Sequence, residues 1–367
     1  MKWLNISLLI FICGCNNSNS NSTIEFTEIE TNFNKLTVSE LGIDVINKIA
    51  IDSSGNVIIV NSLDWSLNLI DEKNNLLDTF GRIGNGPGEF SLINSVSVDK
   101  KTNELLVFDT RSKRVTICKI DEEKFKLTDT FTLPNYENLS MADIMRFKDG
   151  YIGVFVSFSE YVTSINNKET PINNFYFHYL DKNFEIGDRF LEVSGHELIK
   201  NNTDYIDNPF GRRTYWYWTE PILYYSSSDS LTFSRLDLEK QITQVFSYDS
   251  LSKTKIDKEL IAYLLKEKES LFRFIPKLND YLESKSEIES YFYTFITDKK
   301  FIYIGLNNYS NDEGSILQYN TETNRMKLIS IPANFYLQDV FKNKLFGILK
   351  DSNEDFLLIL NMENNYS

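Results

Sequence analysis

Histidine is a side chain suited to acid–base or zinc chemistry, and this sequence contains two, His178 and His196. A zinc site needs several nitrogen or sulfur ligands, and neither the H-E-x-x-H nor the G-x-S-x-G motif occurs. His178 lies within a predicted strand, where packing is the usual role. His196 lies in a predicted insertion and is either a ligand contact or an ordinary surface histidine. The sequence therefore identifies no catalytic residue.

A second candidate site combines two arginines with aromatic residues, in the run Arg212-Arg213-Thr214-Tyr215-Trp216-Tyr217-Trp218. Alternation along a strand sends the two tyrosines to one side and the two tryptophans to the other. Both pairs suit packing between sheets. Alternatively, Arg212, Arg213, Tyr215 and Trp216 contact a glycan or a carboxylate ligand.

A glycine-rich segment, residues 80–90, carries a third pair of candidates, Arg82 and Glu89. Its four glycines and Pro87 favour a tight connection with positive φ angles. The spacing matches no phosphate-binding motif, and the segment leads into a strand rather than a helix. The loop is therefore either structural, with Phe90 filling space between sheets, or a ligand contact. Asp109 and Arg114 flank a nearby turn and are expected to form a local ion pair.

The composition is globular and acidic, with 38 basic and 52 acidic residues and a formal net charge of −14. This charge repels the phosphate backbone of nucleic acids and anionic membrane surfaces. We therefore expect no nucleic-acid partner.

The first residues predict export. Lys2 precedes an apolar run, residues 3–12, which is too short to cross a bilayer. Ile12-Cys13-Gly14-Cys15 resembles the lipobox of bacterial lipoproteins, which implies a signal peptide over 1–14, lipidation at Cys15 and a flexible tether over 15–23. An ordinary cleaved signal is the alternative. No acidic run follows Cys15, which favours an outer-membrane lipoprotein facing the periplasm.

Residues 24–367 contain short strand-like runs rich in Ile, Val, Phe and Tyr, separated by turn residues. The runs group into six units of four strands, named d, a, b and c in sequence order, at spacings typical of propeller blades or longer. In this permuted order the N-terminal d strand, predicted at 24–30, completes the last blade and closes the ring. Cys118 has no internal disulfide partner in the mature chain.

The resemblance to a known fold rests on Phe80-Gly81-Arg82-Ile83-Gly84-Asn85-Gly86-Pro87-Gly88-Glu89-Phe90 and the strands that follow it. This unit resembles an NHL-type repeat, and the whole chain resembles the six-bladed β-propeller lipoproteins of the TolB-like superfamily. The resemblance implies an all-β, six-bladed propeller of four-stranded antiparallel blades. It implies little about function.

In such a blade the d–a and b–c connections leave one side of the disc, and the a–b and c–d connections leave the other. All the longest predicted connections belong to the first side, named here the loop-rich face, and the opposite side is the short-turn face. A helical insertion is predicted near 255–287, within 250–290, with Pro276 separating two helices. The insertion either caps the propeller or forms a lid over a pocket.

Loops elaborated on one face of a rigid scaffold usually carry binding or chemistry. We therefore expect a non-catalytic module that binds a peptide, a glycan or an envelope partner through the loop-rich face and needs no cofactor. The resemblance also admits a calcium-dependent lactonase- or lyase-like enzyme, with candidate ligands Asp64, Asn94, Asp143 and Asp339. A structural scaffold would instead use the short-turn face.

Overall fold

The computed structural model of the protein describes residues 24–26, 33–157, 172–201, 204–248, 251–307, 313–351 and 354–362. Residues 1–23, with the predicted signal peptide, Cys15 and tether, lie outside this part of the chain. The described strands form six separate sheets in which, apart from the first two strands of the chain, neighbours in sequence are hydrogen-bonded neighbours in space. The chain is an all-β six-bladed propeller with four-stranded antiparallel blades, which confirms the predicted fold class.

Two strands precede the first complete blade: β1 (Ile24–Phe26) and β2 (Phe33–Thr37). Blade 1 contains β3 (Ile46–Ile51), β4 (Val57–Asn61), β5 (Ser66–Ile70) and β6 (Leu76–Phe80). Blade 2 contains β7 (Ile93–Asp99), β8 (Glu104–Asp109), β9 (Arg114–Asp121) and β10 (Lys124–Thr132). Blade 3 contains β11 (Leu139–Phe147), β12 (Gly150–Ser157), β13 (Ile172–Leu180), β14 (Ile186–Asn201) and β15 (Asp204–Asp207).

The second half of the ring repeats this order. Blade 4 contains β16 (Thr214–Thr219), β17 (Ile222–Ser227), β18 (Leu231–Asp237) and β19 (Ile242–Tyr248). Blade 5 contains β20 (Phe292–Thr297), β21 (Phe301–Leu306), β22 (Glu313–Asn320) and β23 (Met326–Pro332). Blade 6 contains β24 (Phe335–Phe341), β25 (Lys344–Lys350) and β26 (Asp355–Asn361).

An N-terminal strand closes the ring, but it is not the predicted segment 24–30. β2 pairs antiparallel with β26 and completes blade 6, with Phe33 opposite Leu360 and Thr37 opposite Phe356. β1 instead pairs in parallel with β23 at the outer edge of blade 5. The prediction assigned ring closure to the wrong strand, because both segments have strand-like residues. Only the position of the free edge of β26 distinguishes them.

The core lies in the wedges between blades. Each of the six blade interfaces in the described chain holds its own cluster of buried apolar side chains, including the interface between blades 6 and 1. Sheets that expose two apolar faces are stabilised in this way by radial stacking, because each face is covered by the next blade. The closing interface packs Ile49 and Ile59 of blade 1 against Phe346 and Leu357 of blade 6.

The connections confirm the predicted asymmetry of the two faces. On the short-turn face the a–b and c–d connections between strands are two to five residues long. From β2 onward, every connection longer than five residues belongs to the loop-rich face, including residues 81–92 and 249–291. The propeller therefore has short connections on the short-turn face and long connections on the loop-rich face.

The helical insertion is confirmed within 255–287, with three helices rather than the predicted two: α1 (Lys258–Glu267), α2 (Glu269–Phe274) and α3 (Leu278–Glu283). The side chain of Asp257 caps α1 by accepting a hydrogen bond from Leu260 N at 2.8 Å. Lys268 (φ −120°, ψ 31°) separates α1 from α2, and Pro276 lies between α2 and α3 as predicted. In the described chain no helix has the length and apolar character needed to cross a bilayer.

Candidate functional site

The glycine-rich loop is held by a buried aromatic ring and by backbone hydrogen bonds, from Phe90 N to Arg82 O at 2.8 Å and from Gly84 N to Phe90 O at 3.0 Å. Gly81 (φ +87°) and Gly88 (φ +72°) lie in the left-handed region, and a Cβ on Gly81 would meet the Phe90 ring at 2.5 Å. Phe90 is fully buried in the cluster between blades 1 and 2. The expectation that Phe90 fills the space between blades is confirmed.

Arg82 and Glu89 contact each other across this loop. The two side chains form an ion pair at 2.8 Å, in which Arg82 is 79% exposed. Gly86 N donates to Glu89 Oε2, and this bond together with Arg82 lowers the pKa of the Glu89 carboxyl. Both candidates thus lie on the loop-rich face with a local structural role.

Arg114 does not form the expected ion pair with Asp109. Its guanidinium donates instead to three loop carbonyls: Asn85 O at 2.6 Å, Gly86 O at 3.0 Å and Glu89 O at 2.7 Å. Asp109 accepts from Ser91 N at 2.6 Å and Ser112 N at 2.9 Å. The two residues share a β-pair, but the loop folds back over the arginine and offers it nearer acceptors.

His196 lies on β14, where the strand extends past the blade. Its Nδ1 is 2.8 Å from Asp207 Oδ2, and its Nε2 is 3.2 Å from the Thr214 carbonyl. Burial raises the pKa of Asp207, but the hydrogen bond and charge of His196 and the charge of Arg213 outweigh it, so the net pKa is lowered. Both ring nitrogens therefore have partners, and the side chain joins the β14–β15 hairpin to blade 4.

Arg212 and Arg213 keep unused donors. Arg212 lies 3.9 Å from Asp229 and Arg213 lies 4.0 Å from Asp207, both beyond hydrogen-bond distance. The Nε atoms of both arginines are buried without a hydrogen-bond partner. An unpaired buried donor costs free energy, so both groups would gain from an added acceptor.

The aromatic residues that follow alternate as predicted. Tyr215 and Tyr217 pack into the cluster between blades 4 and 5. Trp216 and Trp218 pack into the cluster between blades 3 and 4, and Trp216 Nε1 donates to Asp143 Oδ2 at 2.7 Å. Tyr215 and Trp216 therefore contribute to blade packing in this structure.

Two insertions on the loop-rich face meet and share a core of their own. Ile199 of β14 and Phe210 pack against Leu260, Leu264 and other buried residues of the helical insertion. We call this unit, made of the β14–β15 hairpin and α1 to α3, the annex. The annex is built from chain segments that leave different blades, which makes it a fixed part of the face.

The proposed calcium ligands are not brought together. In the described ranges, no group of three or more His, Cys, Asp or Glu side chains has the spacing of a metal site. Asp64 accepts from Ser66 N and Oγ, Asn94 donates to Ala142 O, and Asp143 accepts from Trp216. Each candidate is therefore occupied locally by protein groups.

Asp339 has the most connected environment of the four. Its Oδ1 accepts from Tyr217 of blade 4 at 2.8 Å, and its Oδ2 accepts from Ile51 N of blade 1 at 3.1 Å. Lys100 of blade 2 lies 3.7 Å from Oδ1 and donates to Val340 O at 3.4 Å. Burial raises the pKa of Tyr217 well above its usual range, and the Asp339 charge adds to this effect. Four blades are thus linked across the centre of the ring.

A cavity of about 300 Å³ opens beside this link on the short-turn face. It is lined by the last residues of innermost strands and their a–b turns from blades 2 to 6: Ser97, Val98, Asp99, Lys100, Lys101, Arg146, Tyr217, Trp218, Thr219, Glu220, Thr297, Asp298, Lys299, Val340, Phe341 and Lys342. This volume lies at the lower end of the range for small-molecule sites. We call it the channel mouth.

The channel mouth was not predicted from the sequence, because the two faces were compared only by the length of their connections. A signal was present: the predicted a–b turns of blades 2, 5 and 6 each contain lysine, at Lys100, Lys299 and Lys342. These turns are far apart in sequence, and only ring closure places them around one opening.

The fold and these two faces define a β-propeller with one elaborated end and a polar cavity at the other. The sequence matches the family described as DUF5128, 6-bladed beta-propeller, over residues 12–218, and the chain belongs to this family. No protein with a curated description matches the sequence at a significant level.

Solved structures show the same fold at low sequence identity. A Bacteroides fragilis protein described as exported has a TM-score of 0.57 and 16% identity, with 93% of this chain and 98% of that chain covered. A DUF4221 family member from Bacteroides vulgatus has a TM-score of 0.53 and 9% identity, with 93% and 98% covered. A streptogramin B lyase has a TM-score of 0.48 and 9% identity, with 90% and 98% covered. The two similarities with TM-scores above 0.5 concern the fold alone.

Proposed function

We propose that the protein is an exported, lipid-anchored binding module that holds a peptide segment of an envelope partner on its loop-rich face. The observation that carries this proposal is the annex, in which two insertions pack together beside Arg212 and Arg213. Binding surfaces are commonly built from such loops on a rigid scaffold. The short connections of the opposite face offer no comparable platform for a peptide chain.

The annex exposes large apolar side chains. Phe274 is 64% exposed, Tyr263 41% and Leu265 40%, although the insertion has a buried core of its own. Exposed apolar side chains on one insertion are candidates for contact with an apolar part of a partner protein. They favour a peptide over a glycan as the ligand.

The two arginines supply the polar part of the proposed site. Their guanidinium groups sit 3.9 and 4.0 Å from their nearest carboxylates and keep buried Nε donors unused. Arginine binds carboxylates strongly when both groups are partly removed from water. A peptide with acidic and apolar side chains would pair with the exposed parts of these guanidinium groups, whose side chains are 22% and 30% exposed, and cover the annex. Arg82, Glu89 and His196 belong to the same face and extend the proposed contact area, whereas Tyr215 and Trp216 support it from within the blade interfaces.

We place the protein at the periplasmic side of the outer membrane, attached through a lipid on Cys15, with residues 15–23 as a spacer. The support is the lipobox resemblance in Ile12-Cys13-Gly14-Cys15 and a structural neighbour described as exported. Replacing Cys15→Ala should move the protein from the membrane fraction to the soluble fraction. Retention in the membrane would contradict the lipid anchor.

The binding test uses the chain from Ile24 to Ser367, which holds all described strands and helices. Thermal shift and calorimetry with acidic peptides, neutral peptides, glycans and calcium, before and after chelation, should give saturable binding for acidic peptides. Arg212→Gln with Arg213→Gln should weaken that binding about tenfold or more.

The control is Arg189→Gln, which removes one arginine charge from the edge of blade 3, where Arg189 pairs with Glu192 at 3.1 Å. Its affinity should stay within about twofold. Stabilisation by stoichiometric calcium alone would instead support the lactonase- or lyase-like alternative. Binding of a glycan and not of a peptide would show that the ligand is a carbohydrate.

A further inference from the structure

The lining of the channel mouth is rich in basic residues. It contains five basic and three acidic residues, whereas the chain has a net charge of −14. A cavity with low-dielectric walls concentrates the field of the charges around it. Lys100 lies 3.7 Å from Asp339 and Arg146 lies 3.6 Å from Glu104, so the cations without a carboxylate partner decide what the cavity can bind.

The three carboxylates of the lining are already engaged by nearby donors. Glu220 accepts from Lys101 Nζ at 2.9 Å and from Lys148 N at 3.0 Å. Asp99 accepts from its own turn, and Asp298 does the same in blade 5. Donors of these turns therefore hold the carboxylate oxygens in place.

Two lysines of the lining lack this compensation. Lys299 follows β20 and Lys342 follows β24, so they come from neighbouring blades 5 and 6. Within the described chain, neither ammonium group has a carboxylate within 4.0 Å, and the Lys342 ammonium lies 4.8 Å from the centre of the Phe341 ring. An oxyanion between them would gain two cationic contacts.

The floor of the cavity limits what can bind. Tyr217, Asp339 and Lys100 connect blades 4, 6 and 2 across the ring, and these contacts form the bottom of the cavity. Trp218 and Phe341 contribute flat apolar groups to the walls. The site is therefore suited to a small molecule with charged oxygens and a short apolar part.

We propose that the channel mouth is a binding site for a small multivalent oxyanion, a compact polycarboxylate or a phosphate compound. Lys299 and Lys342 provide the principal contacts, and Arg146 and Lys100 line the deeper part of the cavity. A single charge would be held weakly at an exposed site, whereas an anion that spans several cations gains from each of them. This site is independent of the proposed peptide site, because the two lie on opposite faces and share no residue.

Calorimetry on the chain from Ile24 to Ser367 tests the proposal with citrate and inorganic phosphate as probes and glycerol as a neutral control. One molecule of citrate or phosphate per chain should bind, and the better of the two identifies the oxyanion class. Lys299→Gln with Lys342→Gln should weaken that binding at least tenfold and reduce its dependence on salt.

Lys182→Gln is the matched control, because Lys182 lies exposed in a c–d turn on the same face, away from the channel mouth. It should change the affinity less than twofold. The proposal is overturned if neither anion binds saturably, or if the double variant binds as tightly as the unchanged protein. Thermal unfolding of each variant without ligand confirms that the fold is retained.

Discussion

The two faces of this propeller show that loop length and site chemistry are separate properties. The loop-rich face carries the long connections, the annex and two arginines with unused Nε donors. The short-turn face has connections of two to five residues, yet it contains the channel mouth with its five basic residues. One end offers a broad surface suited to a peptide, and the other offers a small polar cavity. A rigid ring can therefore carry two sites of different size and charge at its two ends.

The largest effect should come from breaking the ring that separates the two faces. A chain starting at Val38 lacks β2, so β26 loses its antiparallel partner and Leu36 no longer packs on the cluster between blades 6 and 1. The free energy of unfolding should fall by at least about 3 kcal/mol, measured by urea denaturation.

A chain starting at Phe33 provides the control, because it loses β1 and keeps β2. β1 contributes three paired residues at the edge of blade 5, so stability should change by no more than about 1 kcal/mol. Equal losses in the two truncated chains would mean that β2 does not close the ring.

The next effect concerns the floor of the channel mouth. Asp339→Ala leaves the Tyr217 hydroxyl and Ile51 N without their acceptor and Lys100 without its nearest carboxylate, which should cost about 3 kcal/mol of unfolding free energy. Asp149→Ala, at an exposed turn on the same face, should cost no more than about 0.5 kcal/mol. If both variants unfold at the same urea concentration, the contacts of Asp339 do not stabilise the folded protein.

A smaller effect distinguishes a partly buried arginine from an exposed one on the loop-rich face. Arg114→Ala removes three hydrogen bonds to carbonyls of the glycine-rich loop and should cost about 2 kcal/mol. Arg82→Ala breaks only the exposed pair with Glu89 and should cost less than about 1 kcal/mol. Urea denaturation of both variants measures the difference, and the reverse order would disprove the anchoring role of Arg114.

The smallest effect depends on pH. The pKa of Asp207 is below its ordinary value of 3.8 in the folded protein, so its ionised form favours the folded state. This contribution is complete above the ordinary pKa and is lost as pH falls through the lower folded value. His196→Gln should reduce it by less than about 1 kcal/mol, because the Asp207 side chain is 43% exposed.

Hydrogen exchange of the β14–β15 amides, followed from neutral pH down to about pH 3, measures this loss. His178→Gln is the control, since His178 Nδ1 contacts Gly187 O at 3.0 Å and is not paired with a carboxylate within the described chain. An unchanged pH profile for His196→Gln would show that the His196–Asp207 contact does not stabilise the hairpin.

Much of the fold could be predicted because strand periodicity is local. The alternating aromatic run from Tyr215 to Trp218 sends two pairs of rings into two different interfaces, as the spacing requires. The helical insertion could likewise be predicted from the spacing of its apolar residues. The site was less predictable, since Arg114 and Asp339 find their partners through contacts between residues far apart in sequence.

The sequence by itself determined the six-unit strand pattern, the position of the helices and the side on which long connections leave the blades. These features follow from side-chain periodicity, turn residues and strand order, which act over a few residues. Only the tertiary structure decided that β2 rather than β1 closes the ring, that Asp339 links four blades, and that lysines from separate turns surround one cavity. The physical reason is that ring closure fixes distances between segments hundreds of residues apart, and local patterns contain no information about those distances.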